Sequence, residues 1–194
     1  MPRNASIRGM KSAPNLILVG PMGSGKSSIG RRLANRLGLP FVDADREIEC
    51  STGAAISLIF ELEGEAGFRE REHEVLARLC RAGPAVIATG GGAVLRADNR
   101  RLLSRHGFVV HLDVDPESQL RRLSSDRSRP LLQRPDRRDV LRRLGEERAP
   151  LYAEVADLRY ETGSGSVRQA VERLADLLRE RWQATALPAQ ETHP

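Results

Sequence analysis

The stretch Gly20-Pro-Met-Gly-Ser-Gly-Lys-Ser27 sets glycines, a lysine and a hydroxyl at G-x-x-x-x-G-K-[ST] spacing. Glycines let a backbone turn so that successive N–H groups point inward, and a helix N-terminus behind them adds its positive end. Such a loop cradles a phosphate chain. Lys26 reaches the terminal phosphates of a nucleotide, and the Ser27 hydroxyl is offered to Mg2+. Lysine occurs only at positions 11 and 26, so the other 29 of the 31 basic residues are arginine. A lysine kept at 26 fits a compact ammonium where a planar guanidinium would not fit.

An acceptor needs a base or an orienting group near its hydroxyl, and anion anchors if it is an acid. Asp43 and Asp45, in Asp-Ala-Asp, alternate by two and are expected on a strand end with both carboxylates on one face. One could hold a metal-bound water and the other accept a substrate hydroxyl; a helix N-cap with a solvated turn is the plainer alternative. Gly90-Gly91-Gly92 after an apolar run allows backbone to approach a ligand closely, though a tight turn is equally ordinary. Arg69 sits in helical spacing, where most arginines are merely solvated.

These groups need a scaffold. Asn15–Gly20, Leu39–Asp45, Ala85–Gly90 and Phe108–Val114 read as strands from their apolar runs, and Asp157–Thr162 reads as a fifth, short strand. Helical spacing occupies 27–37, most of 46–80 with breaks expected at Gly64 and Gly67, then 98–105, Pro116 to Leu123, about 137–156 with Pro150 as a candidate interruption, and Ser166–Trp182. Continuous apolar strands alternating with helices give an α/β fold, a five-stranded parallel sheet with helices on both faces. Ligands then sit beyond the C-terminal strand ends, where the glycine loop, the aspartate pair and the glycine triplet all fall. Residues 1–12 are expected as a disordered extension, 13–182 as a single domain with a mobile polar lid at about 124–136, and 183–194 as a disordered tail.

Composition narrows the classes. Of 194 residues 40% are hydrophobic and 29% charged, with no run long enough to span a membrane and no apolar leader. A cytoplasmic protein without a membrane partner is expected. Cys50 and Cys80 are too far apart in sequence for a metal or redox motif. The net charge of +5 is spread over helices without interleaved aromatics, which argues against nucleic acid as a partner.

GPMGSGKSSIGRRLA, DAD, FRERE, TGGGAV, SRPLL and ERAPLY, in this order, resemble the shikimate kinase family of P-loop kinases, over roughly residues 13–182. The resemblance implies an ATP-dependent kinase that phosphorylates the 3-hydroxyl of shikimate, within the chorismate route to aromatic amino acids. It implies ATP binding by Gly23, Ser24, Gly25, Lys26, Ser27, Ser28, Arg122 and Arg129, with Arg122 near adenine and Arg129 closing with the lid. It implies shikimate binding by Asp45, Arg69, Gly90, Gly91, Gly92 and Arg148, with the two arginines on the carboxylate. Lys26, Asp45 and Arg129 would be catalytic, and Ser27 and Asp43 would hold Mg2+. Shikimate and ATP are the expected partners, and a monomer the expected state. Thr162–Ser166 lacks the arginine and proline common on the family's adenine side, and Arg127 and Arg134 have no assigned role. A related sugar-acid kinase, such as one for gluconate, would share the phosphate loop but not GGG with RPLL and RAPLY. A non-catalytic sensing module would not need the complete set of lysine, aspartates and lid arginine.

Overall fold

The computed structural model describes residues 10–123, 136–163 and 165–185. Its centre is a sheet of five parallel strands in the order β3-β4-β2-β5-β6. These are β2 (Asn15–Val19), β3 (Phe41–Asp43), β4 (Val86–Ala88), β5 (Gly107–Asp113) and β6 (Leu158–Glu161). The inner strands β2, β4 and β5 are mostly apolar because both their faces are covered, whereas the edge strand β6 (Leu-Arg-Tyr-Glu) is half exposed. Along β2, Leu16 and Leu18 pack with Leu33 of α1 (Lys26–Leu37) and with Leu174 and Leu178 of α7 (Val167–Arg181). Ile17 and Val19 face the opposite layer. That layer is built from α2 (Ala44–Thr52), α3 (Ile56–Arg81), α4 (Ala97–His106) and α6 (Arg137–Val155). The helix α5 (Pro116–Leu123) starts at the proline, whose fixed φ suits a first turn.

The glycine loop follows central β2, and the triplet follows its neighbour β4. Chain order reverses around β2, so the two turns open side by side at the C-terminal edge.

Several expectations are corrected. Residues 11–12 and 183–184 are strand, not extension and tail: β1 (Lys11–Ala13) pairs in parallel with β7 (Trp182–Ala184). Trp182 Nε1 donates to the Ala13 carbonyl at 2.9 Å, and Lys11 Nζ reaches Asp157 at 2.6 Å. Three-residue strands with polar members carry too little periodicity to be read locally. Gly64 interrupts α3 (φ 69°, ψ −175°), but Gly67 does not. Helix α6 continues through Pro150. The expected lid, apart from Asp136, lies outside the described residues, and Arg127, Arg129 and Arg134 with it.

Candidate active site

Gly25 is left-handed (φ 95°) at the N-cap of α1, and Gly20 has φ 142°. A Cβ on Gly20 would collide with the Leu112 carbonyl of β5, so only glycine passes there. The chain thereby turns from β2 into α1 with the helix N-terminus aimed along the loop. Lys26 Nζ donates to the carbonyls of Gly20 and Pro21, each at 2.8 Å. Ser24 is fully buried, with an unpartnered hydroxyl. Ser27 Oγ donates to Asp43 Oδ2 at 2.6 Å. These are two hard oxygen donors beside a phosphate cradle. That set fits Mg2+, which takes one or two protein oxygens and fills its shell with water and phosphate.

Asp43 and Asp45 do not share a strand end. Asp43 is the N-cap of α2 and makes no side-chain cap; its carboxylate turns to Ser27 instead. Asp45 lies in the first turn of α2, where the helix dipole favours an acid. The helical step separates the two roles: Asp43 faces the phosphate loop, and Asp45 faces the glycine triplet.

The second half of the site gathers around that triplet. A Cβ on Gly90 would stand 2.7 Å from Asp45 Oδ1 and 2.8 Å from Glu72 Oε1. One on Gly92 would overlap the Arg69 guanidinium, and one on Gly91 would lie 3.8 Å from an Arg148 terminal nitrogen. The bare triplet thus lets two carboxylates and two guanidiniums close around the backbone. Arg69 donates to Glu72 Oε2 at 2.7 Å and to exposed Glu65 at 3.1 Å. Glu72 is 1% exposed, and its other oxygen has no partner. Burial raises its pKa; the Arg69 charge opposes that, and the Asp45 charge adds to it. The two halves meet at Gly91, whose Cβ position lies 3.5 Å from the Met22 nitrogen and 3.6 Å from the Gly20 carbonyl.

The model of the family described as shikimate kinase matches residues 22–179. A shikimate kinase of Stenotrophomonas maltophilia is 52% identical over 180 residues, 93% of this chain and all of the relative. One from Xanthomonas campestris is 50% identical over the same coverage. The structure of shikimate kinase from Acinetobacter baumannii in complex with shikimate superposes with a TM-score of 0.83 at 48% identity, covering 86% of this chain and 93% of that one. The chain belongs to the shikimate kinase family. It is a kinase of the P-loop fold, and the sequence resemblance holds.

Beside the phosphate loop the surface is open. A cleft of about 610 Å3 runs from the phosphate loop past Ser28, Arg122, Thr162, Gly163 and Gln169. Arg122 is locked in its wall, donating to the Gly23 carbonyl (3.2 Å), Thr162 Oγ1 (3.0 Å) and the carbonyls of Thr162 (2.6 Å) and Gly163 (2.9 Å). These bonds fix the guanidinium in the cleft wall. Gln169 closes a reciprocal capping box with Ser166 and so fixes the far wall.

The fold brings together Gly23 to Ser28, Asp43 and Arg122 on one side, and Asp45, Arg69, Gly90 to Gly92 and Arg148 on the other. Sequence reasoning missed Glu72, Tyr152 and His111. Glu72 had a signal: it stands three residues after Arg69, on the same helical face. Tyr152 stands four after Arg148 in the same way. Its hydroxyl donates to the Gly91 carbonyl at 2.6 Å. His111 gave no signal, being a lone histidine in a strand. It stacks on Tyr152 with centroids 4.7 Å apart, and burial lowers its pKa to about 4.

Proposed function

We propose that the chain transfers the γ-phosphoryl group of ATP to the 3-hydroxyl of shikimate, yielding ADP and 3-phosphoshikimate. The observation that carries this reading is the contact at Gly91. There a glycine turn lined by two arginines runs so close to the phosphate loop that a Cβ added at Gly91 would lie 3.5 Å from the Met22 nitrogen.

In this reading Arg69 and Arg148 grip the shikimate carboxylate, with the Gly91 N–H as a third donor. Asp45 holds the ring hydroxyls and accepts the proton of the 3-hydroxyl as its oxygen attacks the γ-phosphorus. The new O–P bond forms as the bond to the β,γ-bridging oxygen breaks, and the electron pair leaves with ADP. Lys26 gives up its loop carbonyls for the β- and γ-phosphate oxygens. Gly23 to Ser28 supply backbone and hydroxyl donors, and Arg122 stacks on adenine. Ser27 and, through water, Asp43 would hold Mg2+, which when bound neutralises phosphate charge during transfer. Arg129 would add a further cation to the phosphates and shield the site from water. The enzyme is expected to act as a cytoplasmic monomer.

The test is ADP release from Mg-ATP with shikimate or gluconate as acceptor. Stoichiometric ADP release with shikimate alone is expected, together with its loss in Lys26→Ala while the fold is retained. Turnover of gluconate but not shikimate would overturn the reading. Normal turnover by Lys26→Ala would remove the phosphate-loop assignment.

A further inference from the structure

The tyrosine beneath the glycine turn has no part in the chemistry just described, yet it touches both non-catalytic anchors of the acid. Tyr152 is 2% exposed. Its hydroxyl donates to the Gly91 carbonyl at 2.6 Å, and the Arg148 guanidinium lies near enough for its charge to act on the phenol against the pull of burial. Arg148 and Tyr152 are one helical turn apart on α6, so a single backbone sets their spacing. Among the described residues Arg148 makes no salt bridge, and its buried Nε has no partner. Tyr152 therefore shares a helical face with a guanidinium that no described carboxylate holds in an ion pair.

His111 supports the phenol from the sheet side. Its ring lies nearly parallel to that of Tyr152, at 22°. It pairs in register with Val19, the residue before the phosphate loop. The stacked pair thus underlies the triphosphate cradle and the acid clamp together. Packed aromatic pairs sit in fixed geometry, so the hydroxyl has little freedom to leave Gly91.

We propose that Tyr152, stacked on His111, is a positioning residue for the acceptor: its hydroxyl pins the Gly91 carbonyl and abuts Arg148, so that the Gly91 N–H and the Arg148 guanidinium converge on the acceptor's carboxylate. The inference rests on the shikimate reading above. Burial also raises the Tyr152 pKa to about 12, so the phenol stays a donor at any working pH.

Tyr152→Phe keeps the ring and removes only the hydroxyl. The measurements are KM for shikimate, KM for ATP, kcat, the preference for shikimate over its methyl ester, and Tm. The expected result is a KM for shikimate raised about tenfold, equivalent to ~1.4 kcal/mol. ATP KM should stay within twofold, and the preference for the free acid should shrink in proportion. A purely structural tyrosine would lower Tm and leave the acid preference intact, and that pattern overturns the proposal. So does an unchanged KM for shikimate. If Tyr152→Phe does not fold, the same quantities are read on His111→Ala and His111→Phe. The alanine variant should lose acid preference, and the phenylalanine variant should recover most of it; equal behaviour of the two overturns the proposal. A parent enzyme that turns over no shikimate would instead sink the functional reading itself, and the two failures are distinct.

Discussion

One added methyl group at Gly92 tests the packing of the acid clamp. Gly92 has φ −97° and ψ 0°, which alanine tolerates, so Gly92→Ala strains no backbone. The new Cβ would stand 2.6 Å from Arg69 NH1 and 2.7 Å from Cζ, and closer still to NH2. Non-bonded carbon contacts relax only near ~3.5 Å, so the guanidinium must retreat by roughly 1 Å. Exposed Glu65 offers it a place to go, away from Glu72. A misplacement of about 1 Å in a positioning group costs on the order of 100-fold in rate, or ~2.7 kcal/mol. Arg69 holds a carboxylate remote from the reacting oxygen, so the loss should fall mainly on KM for shikimate, with ATP KM within twofold. Stripping a buried carboxylate of its partner costs about 3–5 kcal/mol. Burial already pushes the Glu72 pKa up, so the carboxyl takes a proton more readily once Arg69 leaves, which holds the cost near the lower end. The resulting fall in Tm is up to about 10 °C. Steady-state kinetics with varied shikimate, plus a thermal melt, read both effects. A Gly92→Ala enzyme with parental KM for shikimate and parental Tm would refute the placement of Arg69 against the triplet.

Gly145 lies on α6, and a Cβ there meets nothing within 4 Å. Gly145→Ala should therefore stabilise the fold by about 0.5–1 kcal/mol, seen as a small rise in Tm; a clear fall would mean that the helix is wrongly placed. His111 is held below its ordinary value of 6.5, at about 4, chiefly by burial, with Arg159 and Lys26 adding and Asp113 opposing. The unfolded chain then binds the extra proton first, so this contribution is whole above pH 6.5 and is lost as pH falls to about 4. The difference amounts to ~3 kcal/mol. Denaturant titrations at pH 7 and 4.5 should show a shallower loss in His111→Phe than in the parent, and equal losses would contradict the buried neutral imidazole.

Much of this arrangement is legible in the chain because it is local. The phosphate loop declares itself as an apolar strand, glycines at fixed offsets and a helix, and each feature constrains the next. The inner strands β2, β4 and β5 show as mostly apolar runs because helices cover both faces. The aspartate pair misleads because D-x-D has strand spacing, whereas Ala44 already begins a helix and sends the two carboxylates to different partners. Glu72 and Tyr152 become meaningful only when β4 delivers its glycines between α3 and α6, a contact no local pattern encodes. The β1–β7 pair escapes notice for a related reason: Lys11–Ala13 has no partner in sequence until Trp182 arrives 169 residues away from Ala13.

The central claim is that the phosphate cradle and the acid clamp serve one transfer. A crystal structure with a non-hydrolysable ATP analogue, Mg2+ and shikimate tests it most directly. The account predicts the 3-hydroxyl about 3–3.5 Å from the γ-phosphorus and in line with the bridging oxygen. Asp45 should bond that hydroxyl, and Arg69 and Arg148 the carboxylate. Shikimate bound with its carboxylate away from both arginines, or with Asp45 turned from the 3-hydroxyl, would contradict it.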